Sequence, residues 1–252
     1  MEAKLNLRES LRMYLRNTLT GFNSKAAVIL LSSGALLLLH HNHFRRRFFT
    51  AYFGHMPWTS SGRFAQLYSF FYWESGTLLL LALIPFLIGY FLIGMKPKEM
   101  GISRPDFSKG GAKIFGAFLA VMIVVVIAAS YFKEFSGYYP EGKFAATSLV
   151  AYLIYEMGYL VYFISWEFFF RGYMLFGLEP HLGRGNAAII STVIFAIMHF
   201  NKPEIEALGA LAAGLALAML AFSTRSFLSC AALHWMVAMS MNIAAIIQKS
   251  AK

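Results

Sequence analysis

Long apolar runs separated by short polar loops dominate the hydrophobic pattern of this chain. A transmembrane helix needs about 20 predominantly apolar residues, and the run over 145–182 is long enough to hold one tilted helix and a further piece, which Pro180 and Gly183 end. The pattern predicts an all-α fold, a polytopic transmembrane helix bundle of about seven or eight helices. The predicted runs cover residues 26–39, 76–95, 114–132, 145–182, 187–200, 205–222 and 227–247.

The first 23 residues carry a different, amphipathic pattern. Basic and apolar side chains recur there in two parallel stripes, which form adjacent faces if the segment is helical. Such a helix either lies on the membrane surface or packs on the protein's own loops, and the sequence leaves both open. The basic stripe comprises Lys4, Arg8, Arg12 and Arg16, and the apolar stripe comprises Ala3, Leu7, Leu11 and Leu15.

Motifs divide the rest of the chain into two predicted parts. Residues 24–143 form transmembrane helices without a recognisable motif, and residues 144–252 form a helical core that carries all the motifs discussed below. This division predicts one compact membrane domain with its chemistry in the second half.

Composition supports the membrane assignment. Hydrophobic residues make up 58% of the 252 residues and charged residues only 13%, whereas soluble domains carry about 25% charged residues. This excludes a disordered chain or an ordinary soluble domain, and the single Cys230 excludes an internal disulfide. The net charge of +10 is spread between the apolar runs, which favours contact with lipid headgroups over binding of nucleic acid.

The charged loops predict an orientation. Positive residues concentrate in loop 96–113, so that loop and the N-terminus are predicted to be cytoplasmic, and the balanced loop 133–143 to face outward. We expect an integral protein of a bacterial inner membrane. The run Arg45–Arg47 conflicts with this orientation, because it falls outside, and the sequence leaves the conflict unresolved.

A group of histidines precedes the arginine run. His40, His41 and His43 have the density of a metal-binding tract. They also fit a polar loop beside the lipid headgroups, and the second interpretation is favoured.

Ionisable residues inside the predicted spans are the candidates for function, because they are costly in a membrane. A buried glutamate and arginine four residues apart share a helix face, and taken by themselves the two suit a structural ion pair. Each histidine alone suits a core residue with one hydrogen bond. A carboxylate and imidazoles from separate helices can instead polarise a water for attack on a carbonyl, or bind a divalent metal. The candidates are Glu156, Glu167, Arg171, His199, His234 and Asn242.

Three of these segments together resemble the CPBP family of intramembrane proteases, which includes CAAX prenyl proteases and bacteriocin-processing proteins. The family carries Glu-Glu-x-x-x-Arg, Phe-x-x-x-His and His-x-x-x-Asn/Asp motifs on successive helices. The resemblance covers about residues 145–247. The matching residues are Glu167 and Arg171 for the first motif, Phe195 and His199 for the second, and His234 for the third, with Thr224-Arg225-Ser226 similar to the family's turn.

Two positions depart from the family pattern. Trp166 stands where the motif has its first glutamate, as in a variant branch of the family, and Ala238 stands where it has Asn or Asp. Asn242 lies one helical turn further on the same face. Glu206, close in sequence to His199, is a possible stand-in acid.

The resemblance implies an integral membrane endopeptidase of the glutamic or metallo type that cleaves a membrane-associated or lipid-modified peptide. In that mechanism Glu167 and His199 activate a water, His234 with Asn242 stabilises the oxyanion, and Arg171 holds Glu167 in place. A zinc ion held by Glu167, His199 and His234 remains open, although an HExxH zinc motif is absent.

Two other functions stay open from the sequence. Trp166 and Ala238 favour a catalytically inactive scaffold or immunity protein that binds a membrane partner in the same cavity. Buried Glu156 and Glu167 favour a transporter or channel, which the lack of an evident internal repeat weakens.

Overall fold

The computed structural model describes residues 6–18, 20–56, 59, 65–108 and 110–250. These residues form helices and loops and contain no strand, so the predicted all-α fold is confirmed. The helices are α1 (Leu7–Thr18), α2 (Ser24–His43), α3 (Arg46–Phe53), α4 (Ala65–Leu78, continued to Ile93 by π-helical and α-helical turns), α5 (Gly111–Ser130), α6 (Lys133–Tyr138), α7 (Leu149–Glu167), a π-helical segment (Phe168–Leu175), α8 (Phe176–Ile197), α9 (Glu204–Thr224) and α10 (Leu228–Ser250).

Six stretches of the described chain are long and apolar enough to cross a membrane. One of them, Leu149–Ile197, has 49 residues, and it doubles back at Gly183, where φ is +77° and the backbone leaves the helix. Ser191 beyond the break donates a hydrogen bond to the Phe170 carbonyl before it, 2.9 Å away. The two limbs therefore run side by side, as the break predicted from Pro180 and Gly183 requires. With this stretch counted as two passes, the six stretches of the described chain give seven passes, which agrees with the predicted seven or eight helices.

The two membrane faces of the bundle are defined by loop contacts. At one face, loop 94–110 meets the turn after α9, where Ser226 donates to the Ser103 carbonyl at 2.6 Å. At the other face, Arg46 lies 3.5 Å from Glu141, and Lys249 donates to the Tyr139 carbonyl at 2.7 Å. Arg45–Arg47 therefore lies on the same face as the loop before α7, where Glu141 offsets part of its charge.

The N-terminal helix α1 presents its apolar residues outward. Leu7, Leu11 and Leu15 are exposed, and so are Arg8 and Arg12, so the placement of this helix on a membrane surface stays a prediction. Ala3 and Lys4 of the predicted stripes lie outside the described residues.

The histidine group differs from the favoured interpretation. His40, His41 and His43 belong to helix α2 and not to a loop. His40 is buried, and its Nε2 lies 2.8 Å from the Thr77 hydroxyl of α4. The helix continues four residues beyond the predicted apolar run 26–39, and Thr77 gives Nε2 of the buried His40 ring a hydrogen-bond partner.

The core is densest where α7, the π-helical segment and α8 meet. The segment Phe168–Leu175 is buried throughout, and a Cβ added at Gly172 would lie 2.8 Å from the Met100 carbonyl oxygen of loop 94–110. Only glycine permits this approach of two backbones. The π-helical turns change the register of the chain just after Glu167.

Replacement of Gly172 tests this close approach. We expect Gly172→Ala to lower the unfolding free energy by about 1–3 kcal/mol, because the methyl group meets a backbone oxygen that has little room to move. Thermal unfolding of the purified protein in detergent measures the change. The control is Gly116→Ala in α5, where a Cβ meets nothing within 4 Å; equal losses in both variants would contradict the interpretation.

Candidate functional site

Glu167 is the centre of the candidate site. It is the last residue of α7, and its carboxylate is completely buried. One oxygen accepts a hydrogen bond from Arg171 Nε at 3.0 Å, and the other lies 2.7 Å from His234 Nδ1 of α10. The carboxylate therefore joins two helices, and both of its oxygens have a charged or polar partner.

Arg171 is held by more than this ion pair. Its Nη1 donates to the Ser191 hydroxyl of α8 at 3.2 Å, and its guanidinium carbon lies 4.9 Å from the centre of the Phe195 ring. A buried charge requires partners. Arg171 has the Glu167 carboxylate, the Ser191 hydroxyl and the face of the Phe195 ring.

The two histidines have defined proton positions. His199 Nδ1 lies 2.8 Å from the Phe195 carbonyl oxygen, and His234 Nδ1 faces the Glu167 carboxylate. Both partners only accept hydrogen bonds, so each Nδ1 carries the proton and each Nε2 keeps a lone pair in the neutral ring. The ring centres are 6.4 Å apart, and the planes differ by 18°.

Both histidines line a cavity of about 690 Å³ inside the bundle. The wall around them is aromatic and apolar, and the space suits an extended apolar segment or a hydrocarbon chain. Residues near the histidines on this wall are Trp73, Tyr162, Phe163, Trp166, Phe195 and Ala238.

The structure brings together Glu167, Arg171, His199 and His234, as the sequence predicts. It does not bring Asn242 to them. The Asn242 amide donates to Glu156 at 2.9 Å, and Trp235 Nε1 donates to the other oxygen of that carboxylate at 3.1 Å. Asn242 and Glu156 thus form a second buried cluster between α7 and α10.

Glu206 lies on the cavity wall but in another group. Tyr139 Oη donates a hydrogen bond to its carboxylate, and the Tyr139 backbone in turn accepts from Lys249. The possible stand-in acid therefore belongs to the mouth of the cavity, beside the loop before α7.

The two positions that depart from the family pattern both line the cavity. The ring of Trp166 is 6.3 Å from that of His199, and Ala238 contributes a small apolar surface. At these positions the wall has an indole and a methyl group in place of two polar side chains.

A charged cluster at the cavity mouth escaped the sequence analysis. Glu141 lies 3.1 Å from Lys202 Nζ and accepts a hydrogen bond from Tyr159 at 3.2 Å. Burial opposes ionisation, but Lys202 and Arg46 outweigh it and lower the pKa of Glu141 to about 2. Burial likewise disfavours the lysine cation, yet Glu141 holds the pKa of Lys202 well above its usual value. The sequence signal for this cluster is that Glu141 and Lys202 each lie beside a predicted span. They are 61 residues apart in the chain, so the sequence does not show that they pair.

The arrangement does not fit the possible zinc site. Within the part of the chain that the structure describes, no three His, Cys, Asp or Glu side chains are placed to hold one ion. Glu167 has both oxygens engaged, one by Arg171 and the other by His234, so its carboxylate is not free to serve as the third ligand beside the two histidines.

Comparison with known proteins gives one match. Residues 147–240 match the family model of the type II CAAX prenyl endopeptidase Rce1-like proteins. This segment includes Glu167, Arg171, His199 and His234 and leaves out Asn242. Comparisons with curated proteins and with solved structures gave no match.

Removal of Arg171 tests the buried ion pair. We expect Arg171→Met to cost about 3–5 kcal/mol of unfolding free energy, because Glu167 loses its permanent counter-charge. The double variant Glu167→Gln/Arg171→Met should recover most of this loss in thermal unfolding.

The matched control is Arg184→Met. It removes an ion pair in which Arg184 Nε lies 2.8 Å from Glu179, and the arginine side chain is 67% exposed. This ion pair should contribute less than about 1 kcal/mol. Comparable losses at positions 171 and 184 would show that burial of the pair is not what makes it important.

The pKa of Glu141 predicts a loss of stability in acid. Because the folded-state value is about 2 and the usual value is 4.5, the cluster stabilises the fold fully above pH 4.5 and progressively less as pH falls towards 2. We expect Glu141→Gln to flatten the decline of the thermal midpoint between about pH 5 and pH 3. Glu99→Gln in the exposed loop should keep the decline of the parent, and an unchanged decline in Glu141→Gln would contradict the assignment.

Proposed function

From the match of residues 147–240 to the Rce1-like family model, we propose that the chain is a CPBP family protein and an integral membrane endopeptidase. The observation that carries the proposal is the pair of histidines on one cavity wall, one of them held by a buried glutamate. Such a pair can take and give protons beside an apolar segment.

In the proposed reaction His199 is the general base. Its Nε2 lone pair accepts a proton from a water as the water oxygen attacks the peptide carbonyl carbon. The carbonyl oxygen, now an oxyanion, accepts a hydrogen bond from Nε2–H of protonated His234. When the carbon–nitrogen bond breaks, the leaving nitrogen takes the proton from His199, and the products are a carboxylic acid and an amine.

Glu167 acts through His234 in this proposal. Its carboxylate balances the charge of the imidazolium and fixes which ring nitrogen faces the cavity, and Arg171 holds the carboxylate in place. This refines the mechanism that the resemblance implied, in which Glu167 itself activated the water. The change is supported by the two hydrogen bonds that already occupy the Glu167 oxygens.

The substrate class follows from the cavity. An apolar space within a membrane bundle accepts a hydrophobic or lipid-modified peptide segment, and the two histidines lie at its wall. The resemblance to CAAX proteases favours the same class. We place the enzyme in a bacterial inner membrane with the N-terminus in the cytoplasm, because Lys96, Lys98 and Arg104 share one membrane face with the start of α2.

The alternatives receive less support. Trp166 and Ala238 leave the wall without two polar groups of the family pattern, which favours an inactive scaffold. A scaffold, however, has no need for two histidines whose proton positions are fixed. Glu156, which suggested transport, is bound by Asn242 and Trp235 in a closed cluster. We therefore do not propose a scaffold or a transporter as the main function.

Cleavage of a peptide in proteoliposomes tests the proposal. We expect His199→Ala and His234→Ala each to lower kcat by about 100-fold or more, as loss of a general acid–base group does. The substrate is a membrane-inserted apolar peptide with a fluorophore and a quencher on opposite sides of the scissile region. His181→Ala, at the opposite membrane face, should retain the parent rate.

Glu167→Gln separates a positioning role from a purely structural one. The amide cannot balance a positive charge on the His234 ring, so kcat should fall with little change in KM. Asn242→Ala should leave both kinetic constants near those of the parent. Full activity of His199→Ala and His234→Ala in folded protein would refute the mechanism.

A further inference from the structure

The cavity has a basic mouth in addition to its apolar body. Arg45, Arg46 and Arg47 all line it at the membrane face that also carries Glu141 and Lys202. The three arginines begin two residues after His43, the last residue of the membrane-spanning helix α2. They are therefore placed at the level where lipid headgroups lie.

Two of these arginines have no counter-charge. Arg46 pairs with Glu141, and that carboxylate is shared with Lys202. Neither Arg45 nor Arg47 makes an ion pair or a side-chain hydrogen bond within the described ranges of the chain. Three arginines and Lys202 stand against the carboxylates of Glu141 and Glu206 at this mouth, so it carries an excess of positive charge.

The start of helix α3 adds to this excess. Arg45 is the residue that precedes its first turn, Arg46 and Arg47 are inside that turn, and the turn has no acidic residue and no capping side chain. The N-terminal end of a helix carries a partial positive charge, so these arginines are unfavourably placed unless an anion joins them.

The body of the same cavity opens at the side of the bundle. Val121 and Val125 of α5 line the cavity and are 59% and 40% exposed. Facing them on α9 are Gly209 and Ala212, which also line the cavity and are exposed. These positions lie inside the membrane spans, so the part of the cavity that they line, called here the gap between α5 and α9, borders the hydrocarbon region.

We propose that the cavity binds one phospholipid with an anionic headgroup, with the headgroup at Arg45 and Arg47 and an acyl chain in the gap between α5 and α9. The basic mouth complements the headgroup, and the apolar body complements the chain. A free anion would satisfy only the mouth, and a neutral lipid only the body. The inference goes beyond peptide cleavage, because it requires binding and no chemistry.

Native mass spectrometry of the purified protein in a neutral detergent tests this site. The three probes are dioctanoyl phosphatidylglycerol, dioctanoyl phosphatidylcholine and glycerol phosphate. We expect the anionic lipid to bind roughly three- to tenfold more tightly than the neutral lipid, and glycerol phosphate to bind more weakly than the anionic lipid. Equal binding of glycerol phosphate would identify a site for free anions and overturn the proposal.

Charge variants test the mouth. Arg45→Gln/Arg47→Gln should abolish the preference for the anionic lipid, while the neutral lipid binds as before. Arg104→Gln removes a charge from an exposed arginine at the opposite membrane face and should keep the preference. A preference that survives the double substitution, or disappears with Arg104→Gln, would overturn the assignment of the headgroup.

A space-filling variant tests the body. A Cβ at Gly209 meets nothing within 4 Å, so Gly209→Leu should fold and fill the gap, and should weaken the binding of both lipids together. Gly116→Leu, also in open space but away from the cavity, should not. Unchanged lipid binding in Gly209→Leu would contradict an acyl chain in the gap, whatever the outcome of the cleavage assays.

Discussion

The arrangement of this molecule depends on a single buried carboxylate, that of Glu167. It carries a negative charge into the buried core of the bundle, and such a charge is tolerated only with partners on both oxygens. Arg171 supplies one partner from the same helical segment, and His234 supplies the other from α10. The position of α10 against α7, the tautomer of His234 and the burial of Arg171 all follow from satisfying that one group.

The π-helical segment explains how the arginine reaches this position. Wider turns after Glu167 direct Arg171 at once towards the carboxylate and towards Ser191 on the returning limb of α8. The returning limb exists because Gly183 adopts a conformation that ordinary residues avoid. One irregular segment and one glycine thus place groups from two limbs of the same stretch around one charge.

The sequence was sufficient for the fold class, for the spans and for four members of the candidate site. Apolar runs report membrane crossings directly, and ionisable residues are so rare within the runs that Glu167, Arg171, His199 and His234 are conspicuous. The division of the chain at residue 143 and the Trp166 variant branch stay predictions.

Partners distant in sequence were not predictable. Asn242 was expected beside His234, but its side-chain amide instead donates a hydrogen bond to Glu156. The pairing of Glu141 with Lys202 depends on how loops from different helices meet, which no periodicity records. His40 appeared to belong to a loop because its residue type is polar, and only the Thr77 hydroxyl on the neighbouring helix explains its burial.

The gap between α5 and α9 has a consequence for how a ligand arrives. A molecule dissolved in the bilayer reaches such an opening by diffusion in two dimensions, and its concentration there is set by partitioning between water and lipid. Modest intrinsic affinity then gives substantial occupancy, because confinement within the membrane raises the local concentration. Selection among molecules begins before any contact with the protein, at the step where the membrane admits some of them and excludes the rest.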